Sequence, residues 1–299
     1  MPGIIYPRRE YGPVTSVVHS PIFHFQFSIF NYIPAGDTDR SISQQTKIRP
    51  PLRFPKGKRA TEQKSNGAEK MKQQQYKAVL FDFDGTLGDT LPLCVEAFHR
   101  AMEPILGRTL TDGEILATFG PSEEGTTAIL LEQNGIAATT SAGEKSPEYQ
   151  RGLADYFRWY EELHPTLSPR PFAGIPELLR QLKAAGIVLG LVTGKGPVTC
   201  ELSLKQYDMA GVFDAVETGY EQGLRKPDGI GRILDRFKIA PSETIYVGDM
   251  PSDVAAARSC GVETLAAAWA STACRDDLAA AEPLAVIDSV ADLRSFLMG

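Results

Sequence analysis

Three short apolar runs, each ending in a cluster of polar residues, most constrain what this chain can fold into. They are Lys77-Ala-Val-Leu-Phe-Asp82, Ile187-Val-Leu-Gly-Leu-Val192 and Thr244-Ile-Tyr-Val247. Continuous apolar, partly β-branched runs of this length suit strands of a parallel sheet covered on both faces. From Gly174 onward the pattern alternates. Helices are expected at Pro176–Ala185, on to about Tyr207, at Gly229–Phe237, on to Cys260 and at Val290–Leu297. Further strands are expected near Phe213–Glu217, Val262–Ala266 and Leu284–Ile287. Such alternation specifies an α/β fold, a doubly wound parallel sheet with right-handed crossovers and its site at the carboxyl ends of the strands.

Those strand ends carry the chemistry. Asp82-Phe-Asp84-Gly85-Thr86 follows the first run. Residues i and i+2 of an extended segment share a face, so Asp82 and Asp84 are expected to converge, with Gly85 turning the backbone away. One carboxylate can attack an electrophile while its neighbour handles a proton. Thr193-Gly194-Lys195-Gly196 closes the second run, and a hydroxyl with free backbone N–H groups at a helix mouth suits an anion such as phosphate. Arg225-Lys226-Pro227 offers a cation near a rigid turn. Asp249 ends the third run and Asp253 lies about one helical turn further. So many carboxylates in one pocket repel unless a divalent cation sits among them, and all-oxygen ligation suits Mg²⁺.

This ordered set resembles the haloacid dehalogenase-like (HAD) hydrolase superfamily over roughly residues 75–297, with all four motifs in order. The resemblance implies that Asp82 is the nucleophile, forming an aspartyl-phosphate, and that Asp84 is the general acid/base. It implies that Thr193, with Gly194, and Lys226 bind the transferring phosphoryl group. Mg²⁺ would be held by Asp82, the Asp84 backbone carbonyl and Asp249, with Asp253 helping. The family's dehalogenases and phosphonatases lack the second carboxylate, so Asp84 argues for a phosphatase or a phosphomutase. The chain departs from the family pattern at two places. Where β-phosphoglucomutases carry a His on the first cap helix it has Cys94, with His99 one to two turns beyond, which counts against a mutase. Gly229 stands where relatives commonly have a second Pro.

Between the Asp82 strand and Ala173 the sequence reads as helices, at Leu91–Met102, Thr111–Phe119, Glu123–Gln133 and Pro147–Leu163, with Asp112, Ser122 and Ser146 as N-caps. An insertion here is similar to the helical cap (type C1) of phosphoglycolate phosphatases and pyrophosphatases. The domains expected are therefore residues 71–87 with 173–299 as the catalytic core and 88–172 as the helical cap. The cap should choose the substrate. Gly120-Pro-Ser-Glu-Glu-Gly125 is the candidate specificity loop, and equally a helix start with Ser122 as cap. Arg100, Lys145, Arg151 and Arg158 are cations that could reach a substrate, although solvated helix charges are the commoner role. His164-Pro165 reads as a helix terminus, and Tyr156, Trp159 and Tyr160 as cap packing.

Residues 1–70 differ in kind. They hold eleven Lys/Arg against five Asp/Glu, a net +6, whereas the remainder has 20 against 32, a net −12. Eight of the 21 prolines fall there too, and the composition reads as a disordered basic extension. Met71, immediately ahead of the first strand, is the expected initiator, with a targeting or nucleic-acid-contacting arm as the other reading. Ser20–Ile33 is too short and polar for a membrane span. The four cysteines lack metal-ligand spacing and suit reduced thiols in a cytoplasmic protein. An acidic core gives no footprint for nucleic acid. The function expected is a Mg²⁺-dependent phosphatase for a small phosphorylated metabolite of the phosphoglycolate kind. Pyrophosphatase and β-phosphoglucomutase-like phosphomutase are the alternatives.

Overall fold

The central strands of the sheet alternate their side chains between two buried faces, which is why they read as unbroken apolar runs. The computed structural model describes residues 76–223 and 225–299; the basic extension and the proposed start at Met71 lie outside the described residues. Among the described residues six strands form one all-parallel sheet: β1 (Ala78–Phe81), β2 (Val188–Val192), β3 (Ala215–Glu217), β4 (Thr244–Gly248), β5 (Glu263–Ala267) and β6 (Ala285–Ile287). Their spatial order is β3-β2-β1-β4-β5-β6. The chain winds outward from β1 through β2 to β3, then returns to β4 and winds the other way. The order therefore reverses between β1 and β4, where open α/β sheets place their ligands. Phe81 lies opposite Leu191 on one side and Val247 on the other, so all three chemical strand ends finish level.

Val79, Phe81, Leu189, Leu191, Ile245 and Val247 face one layer, with α5 (Ile175–Ala184), α6 (Pro197–Gln206) and α10 (Val290–Met298) supplying Leu178, Leu182, Cys200 and Leu293. Leu80, Val192 and Tyr246 face the other, against Ile230 and Ile233 of α7 (Lys226–Phe237) and Ala257 of α8 (Pro251–Ser259). Burying each of the larger apolar side chains contributes about 1.5–3 kcal/mol before conformational entropy is counted. A short helix α9 (Arg275–Ala280) and a 3₁₀ turn (Pro241–Glu243) complete this part, and neither is marked by a clear apolar period.

The helical insertion enters between β1 and α5. It comprises α1 (Leu91–Leu106), α2 (Asp112–Leu116), α3 (Glu123–Gln133) and α4 (Pro147–Leu167). It has its own core, built from Leu93, Phe98, Met102, Ile115, Leu130, Tyr156 and Tyr160. The outgoing and returning chains are tied by Phe172 N–H donating to the Leu87 carbonyl at 2.9 Å.

Several expected boundaries are corrected. Helix α1 runs through Pro104 to Leu106, because the proline removes only one hydrogen bond while Gly107 (φ 66°) supplies the left-handed stop. Helix α4 likewise continues past Pro165, so His164 lies inside its last turn. The cap of α2 is Thr111 rather than Asp112, in a reciprocal capping box with Glu114. Ser122 occupies the N-cap position of α3 but its hydroxyl donates to Glu124 instead. Ser146 caps α4 as expected, accepting from Tyr149 N–H.

Candidate active site

Asp82, at the end of β1, lies beside the first turn of α7. Lys226 is the first residue of that helix, which starts three residues earlier than expected, because Pro227 is tolerated in the first turn, where an N–H would have no partner. Its side chain is only 4% exposed and its Nζ donates to Asp82 Oδ2 at 2.7 Å and Asp253 Oδ1 at 2.5 Å. Asp253, wholly buried in the first turn of α8, also accepts from the Met250 N–H through Oδ2 at 3.1 Å. Tyr246 OH contacts Asp253 Oδ1 at 3.4 Å and donates to the Val192 carbonyl at 2.8 Å.

Asp82, Asp249 and Asp253 each bring one carboxylate oxygen within 4.8 Å of the others. Gly85 (φ 69°) permits this approach, since a Cβ there would run into the Asp249 carboxylate. Asp82 Oδ1 is buried without a hydrogen-bond partner. Burial, outweighing the attraction of Lys226, pushes Asp82 up to about 6. Burial and then the neighbouring Asp82 charge push Asp249 well above the carboxylate range. Burial opposes the Lys226 charge, but Asp253 and Asp82 more than offset it and hold the ammonium firmly charged. One lysine among three buried carboxylates leaves surplus negative charge and an orphaned oxygen. This donor set fits a hard divalent cation such as Mg²⁺.

The Asp84 carboxylate lies outside that cluster. Its side chain is 30% exposed, against 8% for Asp82. Oδ1 accepts from Thr90 Oγ1 and pairs with Lys195 Nζ at 2.9 Å. β1 ends at Phe81, so strand alternation does not extend to Asp84, whose carboxylate is held by Thr90 and Lys195 instead.

Thr193 sits buried at the end of β2, its N–H on the Glu217 carbonyl and its Oγ1 accepting from Lys195 N–H at 3.3 Å. Gly194 lies against Gly219, where any Cβ would strike the Gly194 carbonyl. One N–H expected to be open at the mouth of α6 is taken. Gly196 N–H donates to Glu123 Oε2 at 2.7 Å, and Thr199 Oγ1 donates to Glu123 Oε1. The helical insertion thus supplies its own anion to this helix terminus, where the dipole favours one. Burial raises the Glu123 carboxyl.

A profile of the haloacid dehalogenase-like hydrolases matches residues 79–267, which span every element of this site. The chain belongs to the haloacid dehalogenase-like hydrolases. It is 27% identical to pyrophosphatase PpaX of Anoxybacillus flavithermus over 221 residues, covering 73% of this chain and 95% of that protein. It is 29% identical to the phosphoglycolate phosphatase of Synechococcus elongatus over 217 residues, covering 73% and 95%. Among solved structures, a predicted phosphoglycolate phosphatase from Haemophilus somnus superimposes with a TM-score of 0.61 at 21% identity, covering 75% of this chain and 98% of that one. Rhodobacter sphaeroides CbbY in complex with phosphate gives 0.58 at 21% identity, covering 75% and 96%. These likenesses confirm the fold with its inserted helical cap.

In this hydrolase the cap cations are engaged locally. Arg100 pairs with Glu96, Arg151 with Asp155, and Arg158 with Asp155 and Glu162; Arg100 and Arg158 also lie over the Trp159 ring. Lys145 instead reaches Glu221 of the core. The candidate specificity loop does dip onto the core, with Ser122 N–H donating to the Tyr220 carbonyl at 3.0 Å. Three groups at the site escaped sequence reasoning: Lys195, Thr90 and Glu123. Lys195 stood within a quoted motif, and a lysine two residues after a strand-end threonine was the available signal. Glu123 stood in the candidate specificity loop, but nothing local marks its partners, which lie more than 70 residues away.

Proposed function

We propose that this hydrolase is a Mg²⁺-dependent phosphatase that cleaves a small phosphate monoester of the phosphoglycolate kind through a phosphoryl group carried on Asp82. The observation that carries the proposal is the division of labour between two carboxylates two residues apart. Asp82 is buried and paired with Lys226; Asp84 is partly exposed and held by Thr90 and Lys195. Asp82 attacks phosphorus through one carboxylate oxygen, the other being available to the cation. Lys226 and Thr193 neutralise and orient the non-bridging oxygens, which is most of what phosphoryl transfer asks of a protein. Asp84 gives a proton to the leaving oxygen, then takes one from the water that opens the acyl-phosphate. Asp82, Asp249 and the Asp84 carbonyl would hold Mg²⁺, with Asp253 in support. The ion supplies charge neutralisation for the incoming phosphate and allows it to approach the buried carboxylates.

The domains proposed are residues 71–87 with 173–299 as core and 88–172 as cap. A phosphomutase is disfavoured by the first cap helix. Cys94 is buried, and burial pushes its thiol up to about 12, so it offers no proton exchange near neutrality. His99 is engaged by Glu103 and Asp112 within the cap. Pyrophosphate is the second reading, favoured by the likeness to PpaX over most of both chains.

The testing experiment is Mg²⁺-dependent phosphate release by the full chain from phosphoglycolate, sugar phosphates, nucleotides and pyrophosphate. One strongly preferred monoester is expected. Preference for pyrophosphate would replace the substrate, and silence from folded protein would refute phosphatase activity. Chelation with EDTA is expected to abolish turnover and Mg²⁺ to restore it. A rate indifferent to chelation would sink the metal assignment.

A further inference from the structure

We infer that Lys195 is the positioning residue for Asp84, and that Tyr160 of the helical cap holds Lys195 in place. The inference rests on the acid/base role proposed for Asp84. The Lys195 side chain is 1% exposed, and a buried ammonium is costly unless its protons are directed at acceptors. Its Nζ lies 2.9 Å from Asp84 Oδ1, 2.8 Å from Tyr160 OH and 3.6 Å from Cys94 Sγ. The ring of Phe83 lies 5.6 Å away. Among the described residues Asp84 is the one carboxylate it meets in an ion pair, and Thr90 Oγ1 grips the same oxygen. With Oδ1 doubly held, Oδ2 is the oxygen left for the reacting group.

A single set of hydrogen positions satisfies everything behind this lysine. Lys195 donates to Tyr160 OH, so that hydroxyl donates onward to Ser203 Oγ at 2.7 Å. Ser203 then donates to His164 Nε2 at 3.0 Å, and His164 Nδ1–H donates to the Ser168 carbonyl at 2.8 Å. This needs a neutral His164, and burial holds the ring below its ordinary value. The chain alternates between cap helix α4 (Tyr160, His164) and core helix α6 (Ser203), ending at Ser168 where the cap returns to the core. Drawing α4 away from α6 would pull Tyr160 off Lys195. The orientation of Asp84 is therefore coupled to closure of the cap.

The test compares Lys195→Met and Tyr160→Phe with Asp84→Asn in the full chain, using p-nitrophenyl phosphate and ethyl phosphate. Nitrophenolate leaves without a proton and ethoxide does not. Asp84→Asn should release a burst of nitrophenolate at close to the wild-type rate, then stall, and should fail to release ethanol in a single turnover. Lys195→Met is expected to reproduce that signature, with steady-state turnover down about 100-fold, within the range of acid/base contributions. Tyr160→Phe should show it at about 10-fold, the loss of one hydrogen bond to a charged group. Lys195→Arg should recover part of the rate. Equal losses of burst, turnover and ethanol release in both variants would overturn the inference and leave Asp84 its role. Should Lys195→Met not fold, Tyr160→Phe alone decides. If Asp84→Asn itself shows no burst, the acid/base assignment fails and this inference with it.

Discussion

Asp82→Asn is expected to abolish turnover, by at least about 10⁴-fold, the scale on which nucleophile removal acts, while leaving the protein folded. The amide matches the carboxylate in shape and keeps an oxygen for Lys226, but it cannot attack phosphorus to give a stable acyl-phosphate. The folded state should even gain from the change. Burial raises Asp82 from its unfolded value near 3.8 to about 6, so ionising it costs the native state more than the unfolded one. A group with a raised folded value favours folding below the unfolded value, and that contribution is lost as pH climbs through the folded one. Metal-free wild type should therefore lose stability relative to Asp82→Asn as pH rises from about 4 to about 6. Urea unfolding of both metal-free proteins at pH 4 and 7 measures it. A variant equally active with alkyl phosphates would end the nucleophile assignment. A variant that loses stability relative to wild type over that interval would show that Lys226 outweighs burial.

The sheet was legible because its central strands are covered on both faces, and such strands announce themselves as apolar runs. Their ends carried the chemistry for the same reason: parallel strands finish level, so residues far apart in sequence arrive together. Helix ends were less legible where proline stands inside a helix, as at Pro104 and Pro165, because the lost hydrogen bond is minor beside the packing of Met102 and Tyr160. Lys226 is legible in sequence as a cation near a rigid turn, although Pro227 fits the first turn of a helix equally well. Lys195 and Glu123 belong to the contact between cap and core. Their partners lie far off in the chain, Asp84 and Tyr160 for Lys195 and Gly196, 73 residues away, for Glu123. No local period encodes such a distance, and beyond the strand-end threonine ahead of Lys195 nothing in the sequence marks a buried destination for either charge.

Lys226→Met should do the greatest damage to stability of any single change at the site. Removing one partner from a buried ion pair typically costs about 3–5 kcal/mol, because the remaining charge is left without compensation. Here two carboxylates are left, Asp82 and the fully buried Asp253. Methionine preserves length and apolar contacts, so the loss reports the charge rather than a cavity. Lys77 is the control. It pairs with Glu243 at the surface, 62% exposed, and Lys77→Met should change stability by no more than about 1 kcal/mol. Turnover of Lys226→Met should fall about 10³-fold or more, the scale of losing a charge aimed at the transition state. Mg²⁺ is expected to restore part of its stability and none of its rate, since a cation among Asp82, Asp249 and Asp253 offsets their repulsion without replacing the ammonium. The decisive arm is Asp253→Asn in both backgrounds. In wild type it strips Lys226 of a partner and should destabilise; in Lys226→Met it removes an uncompensated charge and should stabilise. Interaction of that sign is the signature of a shared buried pair. Equal costs in both backgrounds, measured by urea midpoint, would mean that Lys226 is not the counter-ion that makes three buried carboxylates tolerable.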